Sequence, residues 1–463
     1  MTRIVILGGG PGGYEAALVA VQLGAEVTLI ERDGVGGACV LADCVPSKTL
    51  IATSESIATL EGSDALGIRS VAGGTASDHI EVDAPTVYSR VKALAAAQSA
   101  DITHRVASEG IRVVKGAGRF ARPGRVEVTT TDGVEEVEYD GALIATGASP
   151  RVLAGAEPDG ERILTWQQVY DLTDLPEHLV VVGSGVTGAE FASAYLALGS
   201  EVTLVSSRDR VMPSEDADAA LLIEDVFTRR GMRIVKRARA TEVRRTEDGI
   251  EVCLKDGGTV AGSHCLMTVG SVPNTGDIGL EQVGVATDDA GYVKVDRVSR
   301  TNVQGIYAAG DCTGLLLLAS VAAMQGRTAM WHALGDAVLP LRLATVAANV
   351  FTDPEIATVG LPAVEAAAER GGVREVKLPL STNARAKMQG IEDGFVKLFC
   401  RPSGSVLGGV VVAPRASELI LPVSLAVQHG LNVDQLAHTF TIYPSISGSI
   451  TEAARQLHLS VQD

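Results

Sequence analysis

Residues 6–31 read ILGGGPGGYEAALVAVQLGAEVTLIE, and residues 181–206 read VVGSGVTGAEFASAYLALGSEVTLVS. The two stretches align without a gap at a constant offset of 175 residues, so the chain contains an internal repeat. Each copy runs from a short apolar strand into a G-x-G-x-x-G turn, then a helix of small residues, a glycine and a second apolar strand. This pattern predicts an α/β fold with two Rossmann-like units.

The three glycines of each turn have separate predicted roles. The first permits the tight turn, the second lets a pyrophosphate approach the backbone, and the third lets the helix pack closely on the strand, with the phosphates at the positive helix N-terminus. These places are taken by Gly8, Gly10 and Gly13 in the first copy and by Gly183, Gly185 and Gly188 in the second. Two complete copies predict two bound dinucleotides, and a pair of ligand-free glycine turns is the weaker alternative.

The two copies differ at the end of their second strand. Glu31 closes the first copy with a carboxylate that can accept hydrogen bonds from ribose hydroxyls. Ser206 takes its place in the second copy and is followed by Ser207, Arg208 and Arg210. Without the carboxylate, and with a guanidinium nearby, the second site is expected to accept NADPH alongside NADH. The alternative is that both arginines are ordinary solvated charges.

Composition bounds the remaining classes of protein. A chain of 463 residues suggests about three domains of roughly 150 residues each. The net charge of −17 argues against nonspecific nucleic-acid binding and against adhesion to anionic lipid. No apolar run reaches the roughly 18 residues of a membrane span, and no signal peptide precedes the first strand. We therefore expect a cytoplasmic protein, in which a close cysteine pair would be a redox or metal candidate rather than a structural disulfide.

Such a pair lies in GGACVLADCVPSK, residues 36–48. Cys39 and Cys44 are separated by four residues, and a helical turn would bring them close enough to bridge. A metal site is not expected because the other cysteines are scattered and supply no second ligand pair at zinc spacing. We expect these four to be buried small hydrophobes: Cys253, Cys265, Cys312 and Cys400.

Further motifs occur in a fixed order along nearly the whole chain. They are the C-x4-C-x-P-S-K run, Ala145-Thr146-Gly147, VPN at 272–274, TNVQGIYAAGD ending at Asp311, and FTDPEIATVG from Phe351. With them the sequence resembles the class I pyridine nucleotide–disulfide oxidoreductases, in a form like lipoamide dehydrogenase. The resemblance implies an FAD domain at 1–150 and 277–346, an NAD(P) domain at 151–276, and a C-terminal α+β dimerisation domain at 347–463.

The same resemblance implies roles for individual residues. Cys44 would face the flavin and Cys39 would attack a substrate disulfide, while Lys48 and Glu190 would form an ion pair beside the flavin ring. A plain structural salt bridge is the alternative for that pair. The remaining FAD contacts would come from Pro11, Thr146, Gly147 and Asp311, and Gly270 would join the NAD(P) site. We interpret Leu315–Leu318 as core packing rather than a wall beside the flavin.

The sequence departs from this family at its C-terminal H-P-x-x-x-E motif. In the family the His, held by the Glu, reaches across the dimer to the attacking cysteine and shuttles its proton. Here Tyr443 stands at the His position and Gly448 at the Glu position. Tyrosine, with an unperturbed pKa of about 10, is a poor base at pH 7. Losing acid–base assistance typically costs about 10²–10⁴-fold, so disulfide reduction is expected to be feeble.

Three functions remain open at this point. The first is an NAD(P)H:quinone reductase or diaphorase, possibly with transhydrogenase activity, that passes hydride through FAD to a small quinone. The second is a disulfide reductase, such as dihydrolipoamide dehydrogenase, that uses Cys39 and Cys44 with a substitute base. The third is an FAD-holding redox sensor or binding subunit, against which the intact second fingerprint argues. In each case a homodimer is expected from the resemblance.

Overall fold

The first part of the chain builds a parallel sheet with helices and a small antiparallel sheet attached. The computed structural model describes residues 1–71, 80–368 and 372–458. The first helices and strands are β1 (Arg3–Leu7), α1 (Pro11–Gln22), β2 (Glu26–Glu31), α2 (Gly37–Leu41), α3 (Cys44–Glu61), α4 (Ala84–Ser108), β3 (Arg112–Lys115), β4 (Ala117–Arg122), β5 (Arg125–Thr130), β6 (Gly133–Glu138), β7 (Gly141–Ile144) and β8 (Ala148–Pro150).

The middle of the chain repeats this plan and then returns to the first sheet. Its elements are β9 (Ile163–Thr165), β10 (His178–Val182), α5 (Val186–Ala197), β11 (Glu201–Val205), α6 (Ala217–Arg229), β12 (Arg233–Val235), β13 (Ala240–Arg245), β14 (Ile250–Leu254), β15 (Thr259–Gly262), β16 (His264–Met267), β17 (Ser271–Pro273), α7 (Leu280–Val283), β18 (Ile306–Ala308) and α8 (Ala319–Ala333).

The last part of the chain forms a third unit around an antiparallel sheet. Its elements are β19 (Ala347–Val350), β20 (Glu355–Val359), α9 (Leu361–Ala368), β21 (Arg374–Pro379), α10 (Ala384–Met388), β22 (Phe395–Cys400), β23 (Val406–Ala413), α11 (Ala416–Leu419), α12 (Leu421–His429), α13 (Val433–Ala437) and α14 (Gly448–Gln456).

Two five-stranded parallel sheets carry the repeat. The first has the order β18-β7-β1-β2-β3 and the second the order β12-β11-β10-β16-β9. Helices α1 and α5 begin and end at positions 175 residues apart, as the sequence offset predicts. Both sheets have nearly continuous apolar strands because helices cover one face of each and a three-stranded antiparallel sheet packs on the other. The predicted α/β fold with two nucleotide-binding units is confirmed.

The return of the chain to the first sheet fixes one wall of the first nucleotide site. Strand β18 pairs with β7 in parallel, and the helix that follows it, α8, packs against α1. Gly326 allows this close contact, because a Cβ there would lie 2.0 Å from the Gly12 carbonyl oxygen. Residues almost 170 positions from β7 thereby reach the same sheet edge as the first glycine turn.

The third unit packs its own core and shares another with the rest. Its sheet has the order β19-β20-β23-β22-β21, and all its pairings are antiparallel. A central apolar cluster joins residues of α3 and α5 to residues of this sheet, such as Leu50, Phe191 and Phe395. Within the described ranges, no helix has both the length and the apolar character needed to cross a membrane.

Candidate active site

The first glycine turn is held in a conformation that side chains would prevent. Gly8 has φ +103°, and a Cβ there would lie 2.2 Å from the Ala145 carbonyl oxygen. Gly10 has an ordinary φ, and the nearest atom to a Cβ would be the Gly36 carbonyl oxygen at 4.0 Å. This open space lets a phosphate approach the backbone. Pro11 then starts α1 at the position where the missing N–H costs least.

The third glycine is needed for a closer contact than the sequence suggested. A Cβ at Gly13 would lie 1.9 Å from the Gly8 carbonyl oxygen and 3.4 Å from the side chain of Ile6 on β1. Helix–strand packing is therefore the looser constraint at this position. The tighter one is that the first turn of α1 folds back onto the glycine turn itself.

A cavity of about 620 Å³ opens from this turn along the edge of the first sheet. Its volume lies in the usual range for ligand and cofactor sites. The residues of the cavity wall that the sequence had singled out are Gly8, Gly10, Pro11, Glu31, Cys39, Cys44, Thr146, Gly147 and Asp311. Segments from four separate parts of the chain thus meet at one site.

The polar groups of this wall fit FAD. Glu31 ends β2, and its carboxylate accepts hydrogen bonds from the backbone N–H of Gly9 at 2.6 Å and of Asp33 at 2.7 Å, which fixes it beside the turn. Thr146 Oγ1 is buried without a hydrogen-bond partner among the described residues. Burial, with a further contribution from Asp43, raises the pKa of Asp311 to about 6. An orphaned hydroxyl and a carboxyl short of partners are what a polyhydroxylated cofactor would satisfy.

The second glycine turn repeats the geometry of the first. Gly183 has φ +117°, a Cβ at Gly188 would lie 1.9 Å from the Gly183 carbonyl oxygen, and a Cβ at Gly185 would meet nothing within 4 Å. Gly270, with φ +94°, accepts a hydrogen bond from the backbone N–H of Arg151 in the loop that leads to β17. The second turn can therefore accept a pyrophosphate in the same way.

Ser206 is buried, whereas its position in the sequence suggested that it would face the nucleotide. Its side chain is fully buried, and its hydroxyl is bonded to Ser184 Oγ at 2.6 Å and to the backbone N–H of Arg208 at 3.1 Å. The serine therefore shapes the turn that carries Arg208. Arg208 itself is exposed, while the Arg210 guanidinium donates to the Pro213 carbonyl oxygen at 2.9 Å. Of the two arginines, Arg208 is the one left to meet a 2′-phosphate.

The two cysteines meet at a junction of helices. Cys39 lies in α2, Cys44 is the first residue of α3, and the two residues between the helices break the chain direction. The prediction that a single helical turn joins them was wrong, because α2 ends at Leu41. The thiols are nevertheless in contact. Their mutual interaction lowers the pKa of Cys39 and, together with burial, raises that of Cys44.

An ion pair lies beside the cysteines. Lys48 Nζ contacts Glu190 Oε2 at 2.7 Å, and the Phe351 backbone N–H donates to Glu190 Oε1 at 2.9 Å. The Lys48 ammonium also lies 4.8 Å from the centre of the Phe351 ring. Burial lowers the pKa of Lys48, but the charge and hydrogen bond of Glu190 more than offset this and raise it. The pair joins α3, α5 and the end of β19, so a structural role accompanies any role at a flavin.

The two positions of the missing dyad lie on the third unit. Tyr443 is 86% exposed, and Gly448 is the first residue of α14. Both line a second cavity of about 530 Å³, whose wall includes Glu452 and Arg455 but neither cysteine. Within one chain, therefore, neither residue contacts the thiols.

The cavity wall includes residues to which the sequence analysis gave no role at the site. Asp43 lines the cavity between the two cysteines, and Trp166 lines it from the loop after β9. Leu317 also lines it and is 46% exposed, while Leu315 and Leu316 are 37% and 36% exposed. The interpretation of this leucine run as core packing was wrong, because the segment crosses the surface before α8 begins. The position of the leucine run directly after the Asp311 turn was the sequence feature that could have indicated that Leu317 lines the cavity.

Comparison with known proteins identifies the family. Residues 2–326 match the family described as "Pyridine nucleotide-disulphide oxidoreductase", and residues 346–454 match its dimerisation domain. The chain is 58% identical to a protein of Mycobacterium tuberculosis named "NAD(P)H dehydrogenase (quinone)", over 99% of this chain and 94% of that protein. It is 32% identical to "Dihydrolipoyl dehydrogenase 2" of Haloarcula marismortui, over 98% and 96% of the two chains.

Solved structures agree with this assignment. The crystal structure of LpdA from Mycobacterium tuberculosis matches with a TM-score of 0.94 and 57% identity, over 99% of this chain and all of that one. The flavoprotein disulfide reductase RclA of Escherichia coli shares the fold, with a TM-score of 0.86 at 24% identity. The family uses FAD and NAD(P)H, so the chain is an oxidoreductase rather than a binding subunit. The chain belongs to the pyridine nucleotide–disulphide oxidoreductase family.

Proposed function

We propose that the protein is an NAD(P)H:quinone reductase, in which NAD(P)H, a proton and a quinone give NAD(P)⁺ and a hydroquinone. The observation that carries this proposal is the combination of an intact flavin cavity with a lost dyad: Tyr443 is exposed and Gly448 has no side chain. Hydride transfer into the site needs the two glycine turns but not the dyad. The bound flavin would accept that hydride and release its electrons to the acceptor.

Residues of this chain support the two stages separately. Gly183, Gly185 and Gly188 would hold the nicotinamide nucleotide, with Arg208 favouring NADPH. Lys48, fixed by Glu190, would place a cation beside the flavin and stabilise the negative charge of its reduced form. Leu317 lines the cavity and is partly exposed, so it adds an apolar side chain to the wall, which suits a planar apolar acceptor better than a charged one. The name of the 58% identical relative supports the same acceptor class.

The domain arrangement is part of the proposal. We assign residues 1–150 and 277–346 to FAD, 151–276 to NAD(P), and 347–463 to a dimerisation domain. A homodimer is supported by three adjacent exposed apolar side chains in that last domain: Phe440, Ile442 and Tyr443, which are 103%, 81% and 86% exposed. Exposed patches of this kind mark interaction sites. Action in the cytosol is supported by the scatter of the other four cysteines, which form no disulfide.

A disulfide reductase is the second candidate, and the contact between the Cys39 and Cys44 thiols favours it. The test follows NADPH and NADH oxidation by the purified holoenzyme with a small benzoquinone and oxidised lipoamide in parallel. Rapid quinone turnover with negligible lipoamide turnover supports the proposal, and brisk lipoamide turnover contradicts it. Cys39→Ser separates the candidates further, because quinone reduction should survive this change while disulfide reduction should vanish.

A further inference from the structure

Among the residues that the structure describes, Asp43 is the one carboxylate at the cysteine end of the cavity to which no role has been assigned. It precedes α3 at the position where an aspartate usually accepts hydrogen bonds from the first helical N–H groups, yet its side chain makes no such bond. It lines the cavity beside Cys39 and Cys44 instead. Its carboxylate accepts no hydrogen bond from the described residues, whereas that of Glu190 is occupied by Lys48 and by Phe351.

Charged and titratable groups from several elements face Asp43. Lys48 on α3 is the cation, but it is 2.7 Å from Glu190 on α5 and is shared with it. The other facing groups are the thiols of Cys39 and Cys44, Asp311 after β18, and the phenol of Tyr170 after β9. Burial raises the pKa of Asp43, Lys48 opposes this rise, and Glu190 adds to it. The raised pKa lets the carboxyl of Asp43 keep a proton to higher pH than a solvated aspartate does.

Reduction of the acceptor needs such a proton. A quinone takes up two electrons and two protons, and NAD(P)H supplies both electrons with one hydrogen as hydride. The second proton must come from an acid, and neither Tyr443 nor Gly448 lies at the thiols in the chain. Extending the proposed quinone reductase function, we propose that the carboxyl of Asp43 donates this proton to the acceptor's oxygen.

In this step the O–H bond of the carboxyl breaks and an O–H bond of the hydroquinone forms. NAD(P)H is the source of the electron pair, the FAD that Gly8, Gly10 and Asp311 would hold would supply the electron transfer, and water entering the cavity returns a proton to the carboxylate. The acceptor must then bind on the side of the cavity that carries Asp43, Cys39 and Cys44. Asp43 is a catalytic residue in this assignment because it contacts the reacting oxygen.

The first test measures the charge of Asp43 without turnover. Cys39 and Cys44 of the reduced holoenzyme are labelled with iodoacetamide between pH 6 and 10, and each site is read by peptide mass spectrometry. A protonated carboxyl at position 43 places no charge beside the thiols, so Asp43→Asn should leave the labelling midpoints where they are in the wild type. The matched control is Asp101→Asn, which removes an exposed carboxylate on α4. Midpoints that move to lower pH in Asp43→Asn but not in Asp101→Asn would show a carboxylate rather than an acid at position 43 and overturn the assignment.

The second test separates electron transfer from proton transfer. Pre-reduced holoenzyme is mixed with benzoquinone, which needs protons, or with ferricyanide, which needs none. In the wild type, the quinone rate should fall as pH rises through the pKa of Asp43, because the acid form is then lost. Asp43→Asn should remove this pH dependence and slow quinone reduction by about 10²-fold or more, with the ferricyanide rate within twofold of the wild type. Asp43→Glu, which keeps an acid, should restore part of the rate.

The outcomes distinguish this assignment from the function on which it rests. Wild-type enzyme that reduces ferricyanide but not benzoquinone overturns the quinone reductase proposal, and the role of Asp43 with it. Wild-type enzyme that reduces benzoquinone, with the same rate and pH profile in Asp43→Asn, overturns the role of Asp43 alone. The flavin absorbance spectrum of each variant shows whether it has folded with its cofactor.

Discussion

The Lys48–Glu190 pair is asymmetric in burial, and this asymmetry makes a sharp prediction. The side chain of Lys48 is 30% exposed and that of Glu190 is 5% exposed. Lys48→Met leaves a buried carboxylate with only the Phe351 backbone N–H as a partner. Glu190→Gln leaves an ammonium that can turn toward water. The two single changes remove the same ion pair, yet the first should destabilise the protein more.

The magnitudes follow from the exposure of each group. Removing one partner of a buried pair costs about 3–5 kcal/mol when the remaining charge is inaccessible to water, as it is in Lys48→Met. Glu190→Gln loses a charge-assisted hydrogen bond at a partly exposed ammonium. We therefore expect a loss of stability at the low end of the usual range for such a bond, about 1–2 kcal/mol. The double variant should resemble Glu190→Gln alone, because no charge is then left unpaired and the two changes couple.

Calorimetry of the thermal unfolding of the flavin-free protein measures the relative stability of these variants. A loss of 1 kcal/mol lowers the Tm of a domain of 150–250 residues by about 2–4 °C. Lys48→Met should therefore lower the Tm by about 6 °C or more, and Glu190→Gln by less. The matched control is Lys92→Met, which breaks the exposed 2.7 Å pair with Asp171 and should have almost no effect. A Glu190→Gln variant less stable than Lys48→Met would refute the reasoning.

Three further predictions concern the two cofactor sites. Gly185→Ala should fold and keep FAD but raise the KM for NAD(P)H about tenfold or more, as measured by steady-state kinetics. Gly188→Ala, whose Cβ would lie 1.9 Å from a carbonyl oxygen, should fail to yield soluble protein, as measured by expression yield. Asp311→Asn should weaken FAD binding yet stabilise the flavin-free protein. The pKa of Asp311 is about 6 in the folded protein and lower in the unfolded chain, so ionisation of this carboxyl destabilises the wild type as the pH rises through 6. The free energy of unfolding of Asp311→Asn, measured by denaturation, should therefore exceed that of the wild type by up to about 3 kcal/mol at pH 8. This difference should disappear at pH 4. Arg208→Ala should raise the KM for NADPH about tenfold and leave that for NADH unchanged; an equal effect on both would remove Arg208 from the 2′-phosphate.

Local patterns in the sequence predicted the parts of the site that the backbone alone determines. The 175-residue repeat defined both glycine turns, and the structure gives Gly8 and Gly183 the positive φ that such turns need. Spacing placed Cys39 near Cys44, although the helix break between them was not foreseen. An aspartate before a helix usually caps it, so nothing local indicated that Asp43 would line the cavity instead.

Contacts between distant segments were beyond reach of residue patterns. Glu190 meets Lys48 across 142 residues, and only the family resemblance paired them. The burial of Ser206 depends on Ser184, which faces it from the turn after β10. Leu317 lines the cavity because α8 starts two residues later and packs on α1, a contact that joins residues some 300 positions apart. Hydropathy alone made the leucine run look like core.

The protonation of the thiol pair explains why an enzyme with two intact cysteines would pass electrons elsewhere. Thiol–disulfide exchange needs a thiolate and an acid–base partner for the leaving thiol. The contact with Cys39, together with burial, raises the pKa of Cys44 and opposes its ionisation, while the same contact lowers the pKa of Cys39. The dyad that would supply this partner is missing, because Tyr443 stands at the His position and Gly448, at the Glu position, has no side chain. A quinone needs no thiolate, since it takes up an electron pair and protons, and the proposed role of Asp43 would supply one of those protons.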